Sequence, residues 1–189
     1  LIIDDEKKLV FISIAKTAST AIRRRLDNFE DPPPHIYHMF LKDVIDQNPH
    51  VKDYFKFAFV RNPYDRLYST YINLKYDGHP WAVELKQKQN FESFVLDLKG
   101  SKYSKYIHLQ PQVDSIKYNG GVIDFVGRYE NLNSDFHKVE KILNMSHEKL
   151  IKIRESSIRP NEPKIYTEQM KQVVCEVYQK DFEEFNYEK

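Results

Sequence analysis

The 189-residue sequence contains a single cysteine, Cys175, so no disulfide can form within the chain and thiolate-rich metal sites are excluded. It has only five glycines, none before Gly78, so its first strand and turn cannot carry the GxxxxGK[ST] loop of conventional ATP and GTP sites. Long apolar runs are missing too: Leu9 to Ala15 falls far short of the roughly 20 residues that span a bilayer. Asp4, Asp5 and Glu6 precede that run, where a secretory leader would carry basic residues. This pattern predicts a cytoplasmic protein with no membrane span in this chain, and a luminal Golgi setting only for a chain whose N-terminal anchor has been removed. Nor is there an excess of one charge: 29 Lys and Arg against 28 Asp and Glu leave a net charge of +1. No global field then favours nucleic acid or an anionic membrane, and any anion site must be local.

What is present suits a folded core. Apolar residues make up 41% of the chain and aromatics 14%, enough surface to bury to argue against disorder. The length predicts a single domain over 1–189. Leu9 to Ile14 is a short, nearly continuous apolar run bounded by charges, the pattern of a strand buried on both faces. After it, Ala18, Ala21, Ile22, Leu26 and Phe29 recur at helical spacing. The unit repeats: Phe55 to Val60 reads as a strand, and Asn62-Pro63 as the N-cap and first residue of a helix that Gly78 would stop. A third strand is predicted over Val122 to Val126, then a helix carrying Leu132, Phe136, Val139 and Leu143. A last helix places Met170, Val173, Val174, Val177, Tyr178, Phe182 and Phe185 on one stripe. Pro32 to Pro34 and Ser156 to Pro163 read as loops. Alternating strands and helices predict an α/β fold, a mostly parallel sheet flanked by helices on both faces.

In such a sheet ligands bind beyond the carboxyl ends of the strands, which singles out the turn Ala15-Lys-Thr-Ala-Ser-Thr20. It offers N–H groups at a helix N-terminus, the Lys16 ammonium and the hydroxyls of Thr17, Ser19 and Thr20, donors suited to phosphate or sulfate. An ordinary capped helix start with a solvated lysine is the plainer alternative. The second strand delivers Arg61 to the same sheet edge, and Ser69 lies two turns into the next helix, roughly 10 Å along its axis. A second phosphate site around Arg61 and Ser69 follows. Asp65 and Arg66 read as a first-turn acid and a solvated partner.

These motifs resemble a known family. Lys16-Thr-Ala-Ser-Thr20 is similar to the 5′-phosphosulfate loop, and Arg61-Asn-Pro-Tyr-Asp-Arg-Leu-Tyr-Ser69 to the 3′-phosphate motif, of sulfotransferases that use 3′-phosphoadenosine 5′-phosphosulfate (PAPS). The resemblance extends to the carbohydrate O-sulfotransferases, the heparan 2-O and chondroitin/dermatan 4-O enzymes, through His108-Leu-Gln-Pro-Gln112, Asp124 to Leu132 and Tyr166 to Tyr187. It implies a P-loop-kinase-like sulfotransferase fold, PAPS as donor, no metal, and a saccharide or glycan acceptor. In the roles it implies, Lys16 neutralises charge on the bridging oxygen as the sulfuryl group leaves. Thr17, Ala18, Ser19, Thr20 and Ala21 hold the 5′-phosphate, and Arg61, Ser69 and Arg159 hold the 3′-phosphate. A solvated loop position is the alternative for Arg159.

Transfer to an alcohol needs a base near the acceptor oxygen, and histidine suits neutral pH. His38 corresponds to the family's histidine in this region, with His35 as second candidate and a non-catalytic role as third. His108 reads equally as a structural or acceptor-contacting residue. His50, His79, His137 and His147 show no metal-ligand spacing, and there is no HExxH. Arg23-Arg-Arg25 reads as a solvated helix face before a polyanion site, and Arg128 with Glu130 as a buried structural pair. Trp81, with His79 and Pro80, suits a sugar-stacking lip or core packing. Two competing readings remain: a phosphotransferase with a degenerate P-loop, and a catalytically silent module that binds a nucleotide or an anionic glycan. A 3′-phosphate clamp has no use in the first.

Overall fold

The main sheet has four strands, the three that the sequence pattern predicts and an edge strand at Ile2–Asp4 that it does not. The computed structural model describes residues 1–27, 38–76, 90–100, 106–119, 121–150 and 163–189. His35, Trp81, His79, Pro80, Gly78, Arg159, the Pro32 to Pro34 loop and all but Pro163 of the Ser156 to Pro163 loop lie outside these residues. In chain order the elements are β1 (Ile2–Asp4), β2 (Leu9–Ile12), α1 (Ser19–Asp27), α2 (Leu41–Gln47), β3 (Phe55–Val60), α3 (Pro63–Tyr76) and α4 (Phe91–Leu96). They continue with α5 (Gln112–Ile116), β4 (Lys117–Tyr118), β5 (Gly121–Val122), β6 (Phe125–Arg128), α6 (Leu132–Ile142), α7 (Glu168–Val177) and α8 (Gln179–Phe185). They fall into two compact units, Leu1–Arg61 with Gln112–Ile153 and Asn62–Pro111 with Arg154–Lys189.

The first unit holds the sheet, in the order β1-β2-β3-β6. β1 runs antiparallel to β2, while β2, β3 and β6 are parallel, so the fold is α/β with a mixed, mostly parallel sheet flanked by helices. Every residue of β2 is at most 1% exposed, the burial on both faces that its continuous apolar run requires. Leu9, Phe11, Phe57 and Phe59 share one core with Ile22 and Leu26 of α1 and Phe136 and Val139 of α6. The third strand starts three residues later than the pattern predicts. Asp124 accepts the Lys56 backbone N–H at 2.7 Å through its side chain, so the ladder to β3 begins at Phe125. Val122 instead joins a separate two-stranded ribbon, β4 with β5.

The second unit packs Leu67, Tyr71 and Leu74 of α3, Phe94 and Val95 of α4, and Met170, Val174 and Phe182 of the C-terminal helices. α3 starts where the sequence puts it: the Asn62 side chain accepts the Tyr64 N–H at 3.0 Å, and Pro63 is the first helical residue. The predicted single C-terminal helix is broken at Tyr178. That residue is 1% exposed and donates its phenol to the Leu109 carbonyl at 3.0 Å, while the Asp181 and Phe182 N–H groups turn back onto its own carbonyl. Among the described residues, no helix is long and apolar enough to cross a membrane.

Candidate active site

Strand register assembles the site. β2 pairs with β3 so that Ile12 faces Ala58, and β3 with β6 so that Val60 faces Arg128. Carrying both registers past the strand ends sets Arg61 level with Ala15 on one side and Tyr129 on the other. The contacts follow from this. The Arg61 guanidinium lies 4.1 Å over the Tyr129 ring, and its Nη1 donates to the Lys16 carbonyl at 3.4 Å. The Arg61 backbone is fixed as well, because the buried Gln112 amide accepts its N–H and donates to its carbonyl, both at 2.9 Å. Gln112 thus takes the place of a further strand, and a long, mobile side chain is aimed by three neighbours.

The turn between β2 and α1 has an unusual backbone. Lys16 and Ala18 have φ of 66° and 65°, the left-handed region that glycine normally fills. Thr17 between them is fully buried, and its hydroxyl donates to the Ile14 carbonyl at 2.9 Å. The Ala18 carbonyl accepts the Ile22 N–H at 3.2 Å and so starts α1. Left-handed residues in a turn are what an anion-binding nest of N–H groups is built from, and this turn stands at the positive end of a nine-residue helix with no acid in its first turn. Thr17 and Ala21 are buried, so they can offer a ligand only their backbone N–H groups. Ser19 is just buried and Thr20 half-buried.

Arg23 belongs to this cluster. In place of the predicted solvated face, the three arginines divide. Arg23 is 3% exposed and points Nη2 at the Thr20 hydroxyl, at 3.5 Å. Arg24 alone is exposed, and Arg25 bridges Glu140 at 3.2 Å and Glu148 at 3.7 Å. The helix start therefore has the charges of Lys16, Arg23 and Arg61 around it.

His38 lies on the same side of the first unit, with Nδ1 2.7 Å from the Ser13 carbonyl. A carbonyl can only accept, so Nδ1 carries the proton and Nε2 is the basic nitrogen. Ser13 follows the last residue of β2 directly, which ties the imidazole to the strand that delivers Lys16.

Ser69 is half-buried on α3 in the second unit. His108 is in that unit too, where its carbonyl accepts from Arg66 at 3.0 Å. Arg66 is not a solvated residue: it is 2% exposed, donates to the Gln110 carbonyl at 2.7 Å and stands 3.9 Å from the buried Asp181. Asp65 is held by Lys164 instead. Arg128 and Glu130 do not form a buried pair, because Glu130 is exposed and Arg128 half-exposed. His137 and His147 both contact Glu140. Sequence reasoning gave no role to Tyr129, Gln112 or Ser13. Two of these, Gln112 and Tyr129, sit inside segments that carry the family resemblance.

A family model described as "Sulfotransferase family" matches residues 1–188. No curated protein and no solved structure matches the chain.

Proposed function

The chain belongs to the sulfotransferase family, and from that premise we propose that it transfers a sulfuryl group from PAPS to a hydroxyl of a saccharide acceptor by in-line displacement. The observation that carries this reading is the left-handed turn at Lys16 and Ala18, with Arg61 fastened beside it. It is a ready anion cradle with a second, separately aimed cation. Bound there, the donor supplies a sulfuryl group on a phosphate leaving group. The Thr17 to Ala21 backbone and the Ser19 and Thr20 hydroxyls hold the 5′-phosphate, and Lys16 offsets the charge that grows on the bridging oxygen as its bond to sulfur breaks. His38 takes the acceptor proton on Nε2 while the new oxygen–sulfur bond forms, with Nδ1–H held by Ser13 so that the ring presents one face only. Arg61 binds the 3′-phosphate, the group that separates PAPS from ATP.

The test compares 3′-phosphoadenosine 5′-phosphate, AMP and ATP by thermal shift and calorimetry. The bisphosphate is expected to bind best, and Arg61→Ala to weaken it by roughly 1.5–3 kcal/mol, far more than it weakens AMP. A preference for ATP, or equal losses for the bisphosphate and AMP, overturns the reading. In a transfer assay, His38→Ala should keep the bisphosphate affinity and lower turnover by about 10²–10⁴. Near-normal turnover would remove His38 as the base.

A further inference from the structure

α6 and the segment that follows it carry a second cluster of chemistry. His137 and Glu140 are three residues apart on this helix and so share a face, and the segment after it returns His147 to the same place. Nδ1 of His137 lies 3.2 Å, and Nδ1 of His147 2.7 Å, from one oxygen of Glu140, Oε2. The two rings are 4.1 Å apart, centre to centre. The other oxygen, Oε1, is occupied by protein: it accepts the Glu148 N–H at 3.1 Å and pairs with Arg25 at 3.2 Å. Glu140 is 1% exposed, whereas the histidine side chains are 37% and 57% exposed.

We propose that His137, Glu140 and His147 form a binding site for a divalent transition-metal ion, of which Zn²⁺ is the best match. Two imidazoles and a carboxylate are a borderline-soft donor set with a history of zinc-like ligation, and three protein ligands leave a fourth position for water. The spacing agrees. Donors about 2.1 Å from a tetrahedral ion stand about 3.4 Å from one another, so the 3.2 and 2.7 Å separations need only a sub-ångström opening to admit one. The three ligand atoms already lie within 4.8 Å of each other. The outer contacts fit as well: a ligating carboxylate is ordinarily oriented by hydrogen bonds to its other oxygen, the part that Arg25 and the Glu148 N–H fill here. Ligation replaces the two hydrogen bonds to Oε2, each ring then carrying its single proton on Nε2 and offering the Nδ1 lone pair; with both imidazoles in that neutral form, Arg25, Glu140 and Glu148 leave one net negative charge for a cation to neutralise. The ion would staple the 143–148 segment to α6 and takes no part in the proposed transfer, whose residues lie at the strand ends.

Protein stripped with a chelator and dialysed is titrated with zinc chloride by calorimetry, and its melting is followed with and without Zn²⁺. One Zn²⁺ per chain is expected, with a Tm rise of about 5–10 °C when free Zn²⁺ stands 100-fold above Kd. His137→Ala and His147→Ala should each weaken binding more than tenfold, and His50→Ala, at an exposed histidine elsewhere, should leave it unchanged. No heat and no shift with the native sequence overturns the proposal, as does the same one-site isotherm in the His137→Ala/His147→Ala double variant. Should that variant fail to fold, imidazole ¹⁵N spectra of the unmodified protein decide. Zinc-dependent shifts of two Nδ1 atoms support the site, and shifts confined to Nε2 atoms refute it.

Discussion

Gly127 offers the most direct test of the sheet that carries the site. It sits in β6 directly opposite Phe59 of β3. A Cβ built on it would lie 2.4 Å from Cε1, 2.5 Å from Cζ and 2.8 Å from Cδ1 of the Phe59 ring, about 1 Å inside ordinary contact. The ring has no exit. Phe59 is fully buried, with Phe125 and Phe136 at centroid distances of 6.4 and 6.3 Å. Gly127→Ala must therefore push the ring off its rotamer or part the two strands, and overpacking of this kind costs about 1–3 kcal/mol. An overlap this deep against an enclosed ring belongs at the upper end. For a chain of this size each kcal/mol is about 2–4 °C of Tm, so a fall of roughly 6–12 °C is expected in differential scanning calorimetry. Shrinking the obstacle should restore part of it: Phe59→Leu added to Gly127→Ala should cost less than the two changes summed, the mark of residues in contact. Because Arg61 and Tyr129 lie two residues beyond this pair, parted strands should also loosen their stacking. A Tm within about 1 °C of the parent, or strictly additive losses, would refute the packing argument.

Two further outcomes are expected. Burial favours the neutral phenol in the second unit: it pushes Tyr178 up to about 12, and also raises Tyr64 and Tyr166. Their stabilising effect is complete below the unfolded value of about 10 and is lost as pH rises from there through about 12, so an alkaline melt should run parallel to tyrosinate absorbance. Tyrosinate forming near pH 10 with no loss of stability would contradict this burial. Ala18→Gly should raise Tm by about 1–4 °C, since a left-handed alanine costs about 1–2 kcal/mol and the extra freedom of glycine in the unfolded chain offsets part of that gain. A lowered Tm would mean that the turn is not held left-handed in solution.

β3 was legible to the residue, because an apolar run bounded by Tyr54 and Arg61 leaves little choice of ends, and α3 was legible because Asn62-Pro63 is a local signal. What failed to show locally was set by distant chain. The start of β6 depends on Asp124 capping a residue 68 positions away, and the break at Tyr178 on a carbonyl at Leu109. Charged residues misled for the same reason: nothing near Arg66 announces that its partners are the carbonyls of His108 and Gln110 and the carboxylate of Asp181. The turn after β2 was singled out as a candidate from residue type and place in the strand order. The Arg61–Tyr129 stacking was not, because register between strands this far apart cannot be read before they are paired.

The absence of glycine from the turn at Lys16 and Ala18 bears on its chemistry as well as its backbone. Two left-handed residues without glycine cost roughly 2–4 kcal/mol together, a sizeable fraction of a stability of about 5–15 kcal/mol. They persist because the neighbourhood over-determines them: Thr17 is tied to Ile14, the Ala18 carbonyl to Ile22, and the Lys16 carbonyl to Arg61. Strain held this way gathers at functional sites, where a fixed geometry is worth its cost. At position 16 glycine would relieve the backbone and remove the ammonium, so strain and charge are inseparable there. At position 18 no side-chain chemistry is at stake, and in the proposed cradle the left-handed turn would serve only to aim N–H groups. The two positions therefore separate the contributions of the loop: Ala18 reports on the shape of the cradle, and Lys16 on shape and charge together.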